Sequence, residues 1–516
     1  MRVHTIVTQD AEIDDRNSLR HFLFYANEVD LEGIVQTSSK FHWLGVPGCD
    51  KAYVAMEGEF PGEEPGEYDK PYRWPGYAWM WEVLDDYEKD YPYLNEQAEG
   101  YPTPDYLRSI TKVGNIGYKG EMDAPSEGSE LIRKAILKED ERPLYIQVWG
   151  GCNTIARALL DIETEYRDKP EWEALHRRIS EQVVLTACGE QDETYRTYIA
   201  EVWPDMLFVK TLQMMSYAYP WYVMPESESK DCLRGAFMKE ELLSSKSALV
   251  SQYATWMDGQ VYPGEGPDAQ FGSNPNIVNE WFGATLLPEK PQKYDFLSEG
   301  DSPTFIPLLN WGFRTLEDFS FGGMAGRYHR VEGEVNSKGE RLNMWDVSKD
   351  RFTGRDGNTV EIESMWPHVA EIQRDFAARA AWADPDRKKE AEHAPSLQVA
   401  EGVDGAALPG EDLVFHVSAM SRDPYEVNLT ACMYEDASSE RAKNAGIELC
   451  TDKSADISAD ISAEEDQSPD VKAKAMLRVS VPASCAKGDV IHVLVKAESQ
   501  GHYRLVQYRQ IIVTVQ

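Results

Sequence analysis

Residues 3–15 read VHTIVTQDAEIDD, and this stretch decides how the N-terminal half of the chain folds. Residues 3–7 are a short apolar run of the length expected of a buried strand. Four carboxylates follow within six positions: Asp10, Glu12, Asp14 and Asp15. Carboxylates crowded at one strand end repel each other strongly unless a hard cation lies among them. The stretch therefore predicts a strand that ends in a cation site.

The acidic stretch is expected to lie on a loop between a strand and a helix. Apolar side chains recur at helical spacing directly after it, at Leu19, Phe22, Leu23 and Ala26. In open α/β sheets, ligands bind in the crevice at the carboxyl ends of the strands, which is where this loop would lie. The alternative is an acidic helix N-terminus that favours the helix dipole. A cap needs one acid rather than four, so the cation site is the preferred interpretation.

The composition is that of a soluble, multi-domain globular protein. A length of 516 residues predicts two or three domains, and a net charge of −37 argues against nucleic acid or anionic membranes as partners. No apolar run is long enough for a membrane span, and no leader pattern precedes the first strand. We expect a cytoplasmic protein, or a secreted or periplasmic one whose signal peptide has been removed. The seven cysteines are scattered without a CxxC pair, which is typical of reduced thiols.

Further apolar runs followed by glycine-rich or polar loops predict an α/β domain with parallel strands. The predicted strands lie at residues 3–7, 31–37, 144–149, 183–187 and 206–209. Helical spacing follows the third of them, with Ile155, Leu159 and Ile162 inward. Residues 58–106 are rich in Gly, Pro, Glu, Tyr and Trp, so we interpret them as an irregular insertion over the site.

The chain changes character at about residue 395. Short alternating runs separated by turns lie at residues 413–417, 475–481, 490–495 and 511–515. Helical periodicity is absent from this part of the sequence, which predicts a small β-sandwich. We therefore expect two domains, one over residues 1–390 and the β-sandwich over residues 395–516. Binding of glycan by the sandwich is one interpretation, and a packing or spacer role is at least as well supported.

Five short motifs resemble those of a known family. DAEIDD at 10–15 resembles the aspartate signature of calcium-dependent nucleoside hydrolases, and is closer to a nucleoside-hydrolase-like family first met in a cellulose-binding protein. The other matches, in family order, are GGCNTIA at 150–156, EGDSPTF at 299–305, GGMAGRY at 322–328 and DFAARAAW at 375–382. The resemblance implies a Rossmann-type α/β domain with a mostly parallel sheet, followed by an immunoglobulin-like β-sandwich.

The resemblance also implies roles for individual residues. Asp10 matches a carboxylate that both binds Ca²⁺ and acts as general base, Asp15 the main calcium ligand, and Asp14 a residue that binds sugar hydroxyls. The backbone carbonyl of Trp149 and the carboxylate of Asp301 match the remaining calcium ligands. The alternative for Asp301 is a helix N-cap. Calcium in such a site orients a water and the ring hydroxyls for cleavage of a glycosidic bond.

The chain departs from true nucleoside hydrolases around the substrate. Glu12 adds a carboxylate near the expected ring site, and Ser39 stands where an asparagine is usual. For His42 a proton donor to the leaving group is one interpretation, and a loop histidine with one structural hydrogen bond is the other. The residues that we predict to contact the substrate are Glu12, Asp14, Ser39, His42, Trp43, Glu190, Gln191 and Asp192.

Taken together, the residues and the resemblance predict a calcium-dependent glycoside hydrolase acting on a pentose or furanose-like sugar, with Asp10 activating the water. Two alternatives stay open: a carbohydrate-binding protein without turnover, and a true nucleoside N-ribohydrolase. The expected partners are a carbohydrate or nucleoside small molecule and a second copy of the chain in a dimer, with no nucleic acid and no membrane.

Overall fold

A computed structural model describes residues 2–53, 66–260, 264, 289–451 and 470–516. The chain forms two compact units. The first unit comprises Met1–Met224, Leu233–Leu309 and His329–Val347, and the second comprises Pro225–Cys232, Asn310–Tyr328 and Ser348–Gln516. These units are defined by how compactly their residues pack. They do not test the expected domain division at residues 390–395, which stays a prediction.

An eight-stranded sheet forms the centre of the first unit. The strands of this unit, in chain order, are β1 (Val3–Gln9), β2 (Val29–Gln36), β3 (Ala52–Tyr53), β4 (Gly66–Glu67), β5 (Thr111–Val113), β6 (Leu144–Val148), β7 (Val183–Ala187), β8 (Leu207–Lys210), β9 (Tyr328–Arg330) and β10 (Met344–Val347). The strand order in the sheet is β5-β2-β1-β6-β7-β8-β10-β9, while β3 and β4 form a separate ribbon. The pairs from β5 to β10 are all parallel. The predicted α/β fold class is confirmed.

Helices alternate with these strands. The longer ones are α1 (Ile13–Leu23), α2 (Ala78–Gln97), α3 (Pro104–Ile110), α4 (Glu127–Leu137), α5 (Asn153–Tyr166) and α6 (Trp172–Gln182). Shorter helical segments of the unit are Tyr195–Ile199, Ala200–Val202, Met214–Tyr217, Trp221–Val223, Gly235–Phe237, Met238–Leu242, Ser302–Thr304 and Ile306–Leu308. No helix among the described residues is long and apolar enough to cross a membrane.

The α2 helix shows that the interpretation of residues 58–106 as an irregular insertion is wrong over much of its length. Twenty residues form a helix whose buried face includes Met80, Val83, Leu84 and Tyr87. These positions have helical spacing, but the acids and aromatic residues between them, and a proline inside the helix, conceal the pattern. Residues 58–65 of the interpreted insertion lie outside the described residues.

An aliphatic core holds the sheet against its helices. It joins Ile146 of β6 and Leu185 of β7 to Ile132 of α4 and to Ile155 and Leu159 of α5, all of which are fully buried. Burial of each such side chain contributes about 1.5–3 kcal/mol to folding. The core therefore gives a rigid support for the loops that leave the carboxyl ends of the strands.

The second unit contains the predicted β-sandwich. Its strands are β11 (Lys349–Thr353), β12 (Thr359–Glu363), β13 (Ser396–Val399), β14 (Asp404–Ala407), β15 (Asp412–Ser421), β16 (Val427–Met433), β17 (Gly446–Thr451), β18 (Asp470–Ser480), β19 (Val490–Ser499) and β20 (Val506–Val515). Two four-stranded sheets, β13-β15-β18-β17 and β14-β20-β19-β16, enclose a core that includes Phe415, Leu477 and Val493. The helix Val369–Trp382 and the hairpin of β11 and β12 belong to the same unit. The prediction of a C-terminal β domain is confirmed.

Candidate metal centre and active site

The carboxyl ends of four adjacent strands carry the candidate site. Asp10 directly follows β1, Ser39 lies three residues after β2, Trp149 directly follows β6 and Gln191 lies in the loop after β7. These strands are neighbours in the order β2-β1-β6-β7. The parallel register therefore brings side chains from four separate parts of the sequence to one edge of the sheet.

Five carboxylates meet at this edge in two overlapping sets. Ligand atoms of Asp10, Glu12 and Asp15 lie within 4.8 Å of one another, and so do those of Asp14, Asp15 and Asp301. Asp15 belongs to both sets. The four aspartates are buried, whereas Glu12 is partly exposed. Asp15 thus links Asp10, at the end of β1, to Asp301, which lies far later in the sequence.

Several oxygens of this cluster are buried without a hydrogen-bond partner. They are Oδ2 of Asp10, Oδ1 of Asp14 and Oδ2 of Asp301. A buried polar atom left without a partner costs about 1–3 kcal/mol, and more when it is charged. Oxygen donors of this kind suit a hard divalent cation, whereas zinc favours nitrogen and sulfur. The residues present therefore fit a hard metal ion.

Burial and mutual repulsion disfavour the charged form of most of these carboxyls. Burial raises the pKa of Asp14 from 3.8 to about 6. Burial and then the charges of Asp301 and Asp10 raise the pKa of Asp15 well above 3.8. Burial and then the charge of Asp14 do the same to the pKa of Asp301. A cation among these carboxyls would supply positive charge and favour their ionised forms.

Asp10 differs from its acidic neighbours. Burial by itself would raise the pKa of Asp10, but His42, Ser39 and Asp15 together hold that pKa below 3.8. Its Oδ2 lies 3.7 Å from Nδ1 of His42, and its backbone N–H donates to Oδ1 of Asp15 at 3.0 Å. Asp10 is therefore the buried aspartate of the cluster whose ionised form is favoured by its protein neighbours.

The loop that carries the acids is strained at one position. Ala11 adopts a φ of +73°, in the left-handed region that residues other than glycine rarely adopt. This turn separates Asp10 at the end of β1 from Glu12 at the start of α1. Asp14 and Asp15 then lie in the first turn of α1, where the helix dipole favours negative charge. Glu12 is the N-cap residue but makes no side-chain capping hydrogen bond.

Trp149 connects two parts of the site. Its backbone carbonyl accepts a hydrogen bond from Nε2 of Gln191, which leaves one lone pair of the oxygen for a further partner. Its ring Nε1 donates to Oγ1 of Thr304 at 2.6 Å, and that hydroxyl donates to the backbone carbonyl of Asp301 at 2.6 Å. Trp149 is thereby joined to the loop that carries an acidic ligand.

The carboxylates of Glu190 and Asp192 have protein partners. Asp192 accepts hydrogen bonds from the backbone N–H of Asn153 at 3.1 Å and from both the N–H and the hydroxyl of Thr194. It lies beside the first residue of α5, in a position to cap that helix. Glu190 forms an ion pair with Arg196 at 2.7 Å. Contact of either carboxylate with substrate stays a prediction.

Ser39, His42 and Trp43 differ in what they face. Ser39 and His42 both act on the Asp10 carboxyl, as its pKa indicates. Trp43 is buried and stacks on Tyr72, with ring centroids 4.4 Å apart, while Tyr68 meets it edge-on. The two tyrosines thus occupy much of the indole surface, and contact of Trp43 with a leaving group stays a prediction.

Two residues of the site are not predicted from the sequence. The hydroxyl of Ser298 donates to Oδ2 of Asp14 at 3.2 Å, and Cys188 is hydrogen-bonded to Asp301. Ser298 directly precedes the EGDSPTF motif and Cys188 directly follows β7. Their places in the sequence, one beside a motif and one directly after a strand, are the features that indicate site residues.

The first unit is thus a mostly parallel α/β sheet with a buried acidic cluster at its carboxyl edge. Residues 4–328 match the family model described as "Cellulose-binding Sde182, nucleoside hydrolase-like domain". The chain belongs to this family, and the resemblance seen in the motifs is confirmed.

A solved structure of similar fold covers the whole chain. A nucleoside hydrolase-related hypothetical protein from Saccharophagus degradans, associated with carbohydrate metabolism, is 23% identical over 100% of both chains, with a TM-score of 0.66. The plant nucleoside hydrolase PpNRh1 is 9% identical over 74% of this chain and 99% of that chain, with a TM-score of 0.33. No curated protein sequence matches.

Proposed function

We propose that this chain is a calcium-dependent hydrolase that cleaves the glycosidic bond of a pentose or furanose-like sugar, with Asp10 as the general base. The observation that supports this most directly is the state of Asp10. It is a fully buried carboxylate with a partnerless Oδ2 and a place inside a cluster of acids. A protein that only binds sugar has no need of such a base beside a cation.

The cation would be held by Asp10, Asp15, Asp301 and the carbonyl of Trp149, in the roles that the family resemblance implies. When bound, calcium supplies positive charge that lowers the pKa of a water and orients it. With a cation bound, Asp10 would accept the proton of a water through Oδ2, the oxygen that has no protein partner. Asp14, whose Oδ1 is also without a partner, accepts hydrogen bonds from ring hydroxyls.

His42 and Glu12 complete the proposed arrangement. His42 favours the ionised form of Asp10 from a distance of 3.7 Å, and its imidazole can carry a transferable proton. Glu12 is the partly exposed member of the acidic cluster, so it is the carboxylate that an entering substrate meets first. Its charge disfavours anionic leaving groups and favours neutral or cationic ones.

A second candidate function is carbohydrate binding without turnover. The description of the family as cellulose-binding favours it, and a cation can orient sugar hydroxyls for binding alone. A true nucleoside hydrolase is the third candidate, which the same description also allows. The three differ in whether a bond is cleaved and which leaving group departs.

The test is a hydrolysis panel with added Ca²⁺, containing aryl pentosides, aryl hexosides, purine nucleosides and pyrimidine nucleosides. We expect release from an aryl pentoside, and loss of about 10²–10⁴-fold in kcat for Asp10→Asn with some substrate affinity retained. Asp90→Asn, which alters a buried carboxylate on α2, is the matched control and should keep its activity. Turnover that survives in Asp10→Asn would remove the proposed base.

Cleavage of nucleosides alone would favour the third candidate. An inactive panel, together with calorimetric binding of cello-oligosaccharides that depends on Ca²⁺, would replace hydrolysis with carbohydrate binding as the function.

A further inference from the structure

Behind the acidic cluster, buried polar side chains join the loop of Asp301 to the rest of the first unit. Glu299 is 0% exposed, and its carboxylate receives hydrogen bonds from three side chains. Nδ1 of His21 lies 2.7 Å from Oε2 of Glu299, the hydroxyl of Tyr253 donates to Oε1, and the hydroxyl of Ser302 donates to Oε2. None of these groups has a part in the proposed reaction.

The burial of Glu299 is costly enough to need an explanation. A carboxylate taken fully out of water loses several kcal/mol of hydration, which only close and well-oriented donors offset. Well-packed apolar residues often serve stability equally well at such positions. An acid surrounded by three donors next to the cation site therefore points to a role in holding geometry.

The loop is joined to α1 at both of its ends. At one end, Ser298 donates its hydroxyl to Asp14 at 3.2 Å, and its carbonyl accepts from Nδ2 of Asn17 at 3.3 Å. At the other end, the hydroxyl of Ser302 lies 3.1 Å from that of Ser18. Glu299 and Asp301 lie between these two attachments.

The backbone carbonyl of Asp301 accepts from the hydroxyl of Thr304, but its carboxylate has few protein contacts. Its Oδ2 has no protein partner, and its known side-chain contact is with a thiol, which is a weak hydrogen-bonding group. Glu299 lies two residues before it and is bonded to His21 of α1, the helix that also carries Asp15. Glu299 is therefore one of the links that hold the Asp301 loop against the helix of Asp15, beside the contacts that Ser298 and Ser302 make with α1.

We propose that Glu299 is a positioning residue of the cation site: bonded to His21, Tyr253 and Ser302, it holds the Asp301 loop against α1 and thereby sets the affinity for the cation. This inference rests on the proposed function, because it takes Asp301 and Asp15 as ligands of the same ion.

The test is calorimetric titration of the full chain with Ca²⁺, comparing the wild type with Glu299→Gln. We expect calcium affinity to fall about 10–100-fold, as on loss of a residue that orients a metal ligand. Asp301→Asn should lower the affinity at least as much. Asp90→Asn is the matched control, because Asp90 is equally buried and accepts from Ser247 and two backbone N–H groups away from the site. It should keep its calcium affinity.

If Glu299→Gln does not fold, Tyr253→Phe tests the positioning role of Glu299, because it removes one donor to Glu299 and keeps the ring. Unchanged calcium affinity in Glu299→Gln or Tyr253→Phe, alongside a loss in Asp301→Asn, would overturn the positioning role. A wild type that binds no Ca²⁺ would overturn both the positioning role and the calcium-dependent hydrolase. Calcium binding that depends on Glu299, in a protein whose hydrolysis panel is inactive, would leave the positioning role intact and remove only the catalytic proposal.

Discussion

The backbone of Gly150 lies directly against the side chain of Asp10. A Cβ atom on residue 150 would stand 2.7 Å from the Cβ of Asp10 and 3.1 Å from its Cγ, inside van der Waals contact. The two residues follow β1 and β6, which are adjacent and parallel, so the contact is a consequence of the sheet. Glycine at position 150 lets the backbone approach the proposed base this closely.

Gly150→Ala should therefore displace Asp10. We expect calcium affinity and any hydrolytic activity to fall at least about tenfold, with a cost in stability of about 1–3 kcal/mol from overpacking. Gly33→Ala is the control, because its Cβ would meet Cδ2 of Leu131 at 2.6 Å and Cγ2 of Ile6 at 3.1 Å, within the core. Titration with Ca²⁺ and urea denaturation separate the two effects. Equal changes in calcium affinity for the two variants would show that the contact with Asp10 has no special role.

The sequence allows the elements and the acidic loop to be predicted because both are local patterns. Apolar runs of strand length and four acids within six residues need no knowledge of which strands are neighbours. Asp301 was reached through the family resemblance alone. Ser298 and Cys188 have adjacent sequence signals, and Glu299 lies within the EGDSPTF motif, but their roles depend on which strands and loops are neighbours, which local spacing does not encode. The α2 helix is not evident from the sequence because acidic and aromatic residues and a proline conceal its apolar periodicity.

Ala11 is expected to be replaceable by glycine but not by a β-branched residue. Its left-handed conformation costs about 1–2 kcal/mol, which Ala11→Gly would relieve. The lost buried methyl costs about 0.8 kcal/mol, and the added freedom of the unfolded chain costs about 0.4–1 kcal/mol. These contributions nearly cancel, so Ala11→Gly should change the free energy of unfolding by less than about 1 kcal/mol.

Ala11→Val should destabilise the protein by more than about 2 kcal/mol, since a branched Cβ is strongly disfavoured at positive φ. Urea denaturation of both variants measures the difference. Similar stabilities for the glycine and valine variants would mean that residue 11 does not keep this conformation in solution.

Asp192 is expected to act mainly as the cap of α5. Asp192→Ala removes the acceptor for Asn153 and Thr194, and should lower the free energy of unfolding by about 1–2 kcal/mol. Ser126→Ala, which removes the cap of α4, is the matched comparison and should cost a similar amount. Denaturation measures both variants, and binding of the sugar substrate is measured alongside. A large loss of substrate affinity in Asp192→Ala at unchanged stability would instead support the substrate contact predicted from the sequence.

The pH dependence of stability is expected to carry a contribution from Asp90. Its carboxylate accepts hydrogen bonds from Ser247, Ala248 and Leu249, yet burial raises its pKa from 3.8 to about 6. Because the folded state binds the proton more tightly than the unfolded state, this contribution to stability is complete below pH 3.8. It is lost as the pH rises through about 6.

Asp90→Asn cannot titrate at this position and lacks that contribution. The stability of the wild type relative to Asp90→Asn should therefore fall by up to about 3 kcal/mol between pH 4 and pH 7, at about 1.4 kcal/mol for each unit of pKa difference. Urea denaturation of both proteins across this range measures it, because the acidic cluster titrates in both and cancels from the difference. A gap that stays constant with pH, or that widens in favour of the wild type as the pH rises, would mean that the Asp90 carboxyl has an ordinary or lowered pKa. Its three donors would then outweigh the cost of burying its charge.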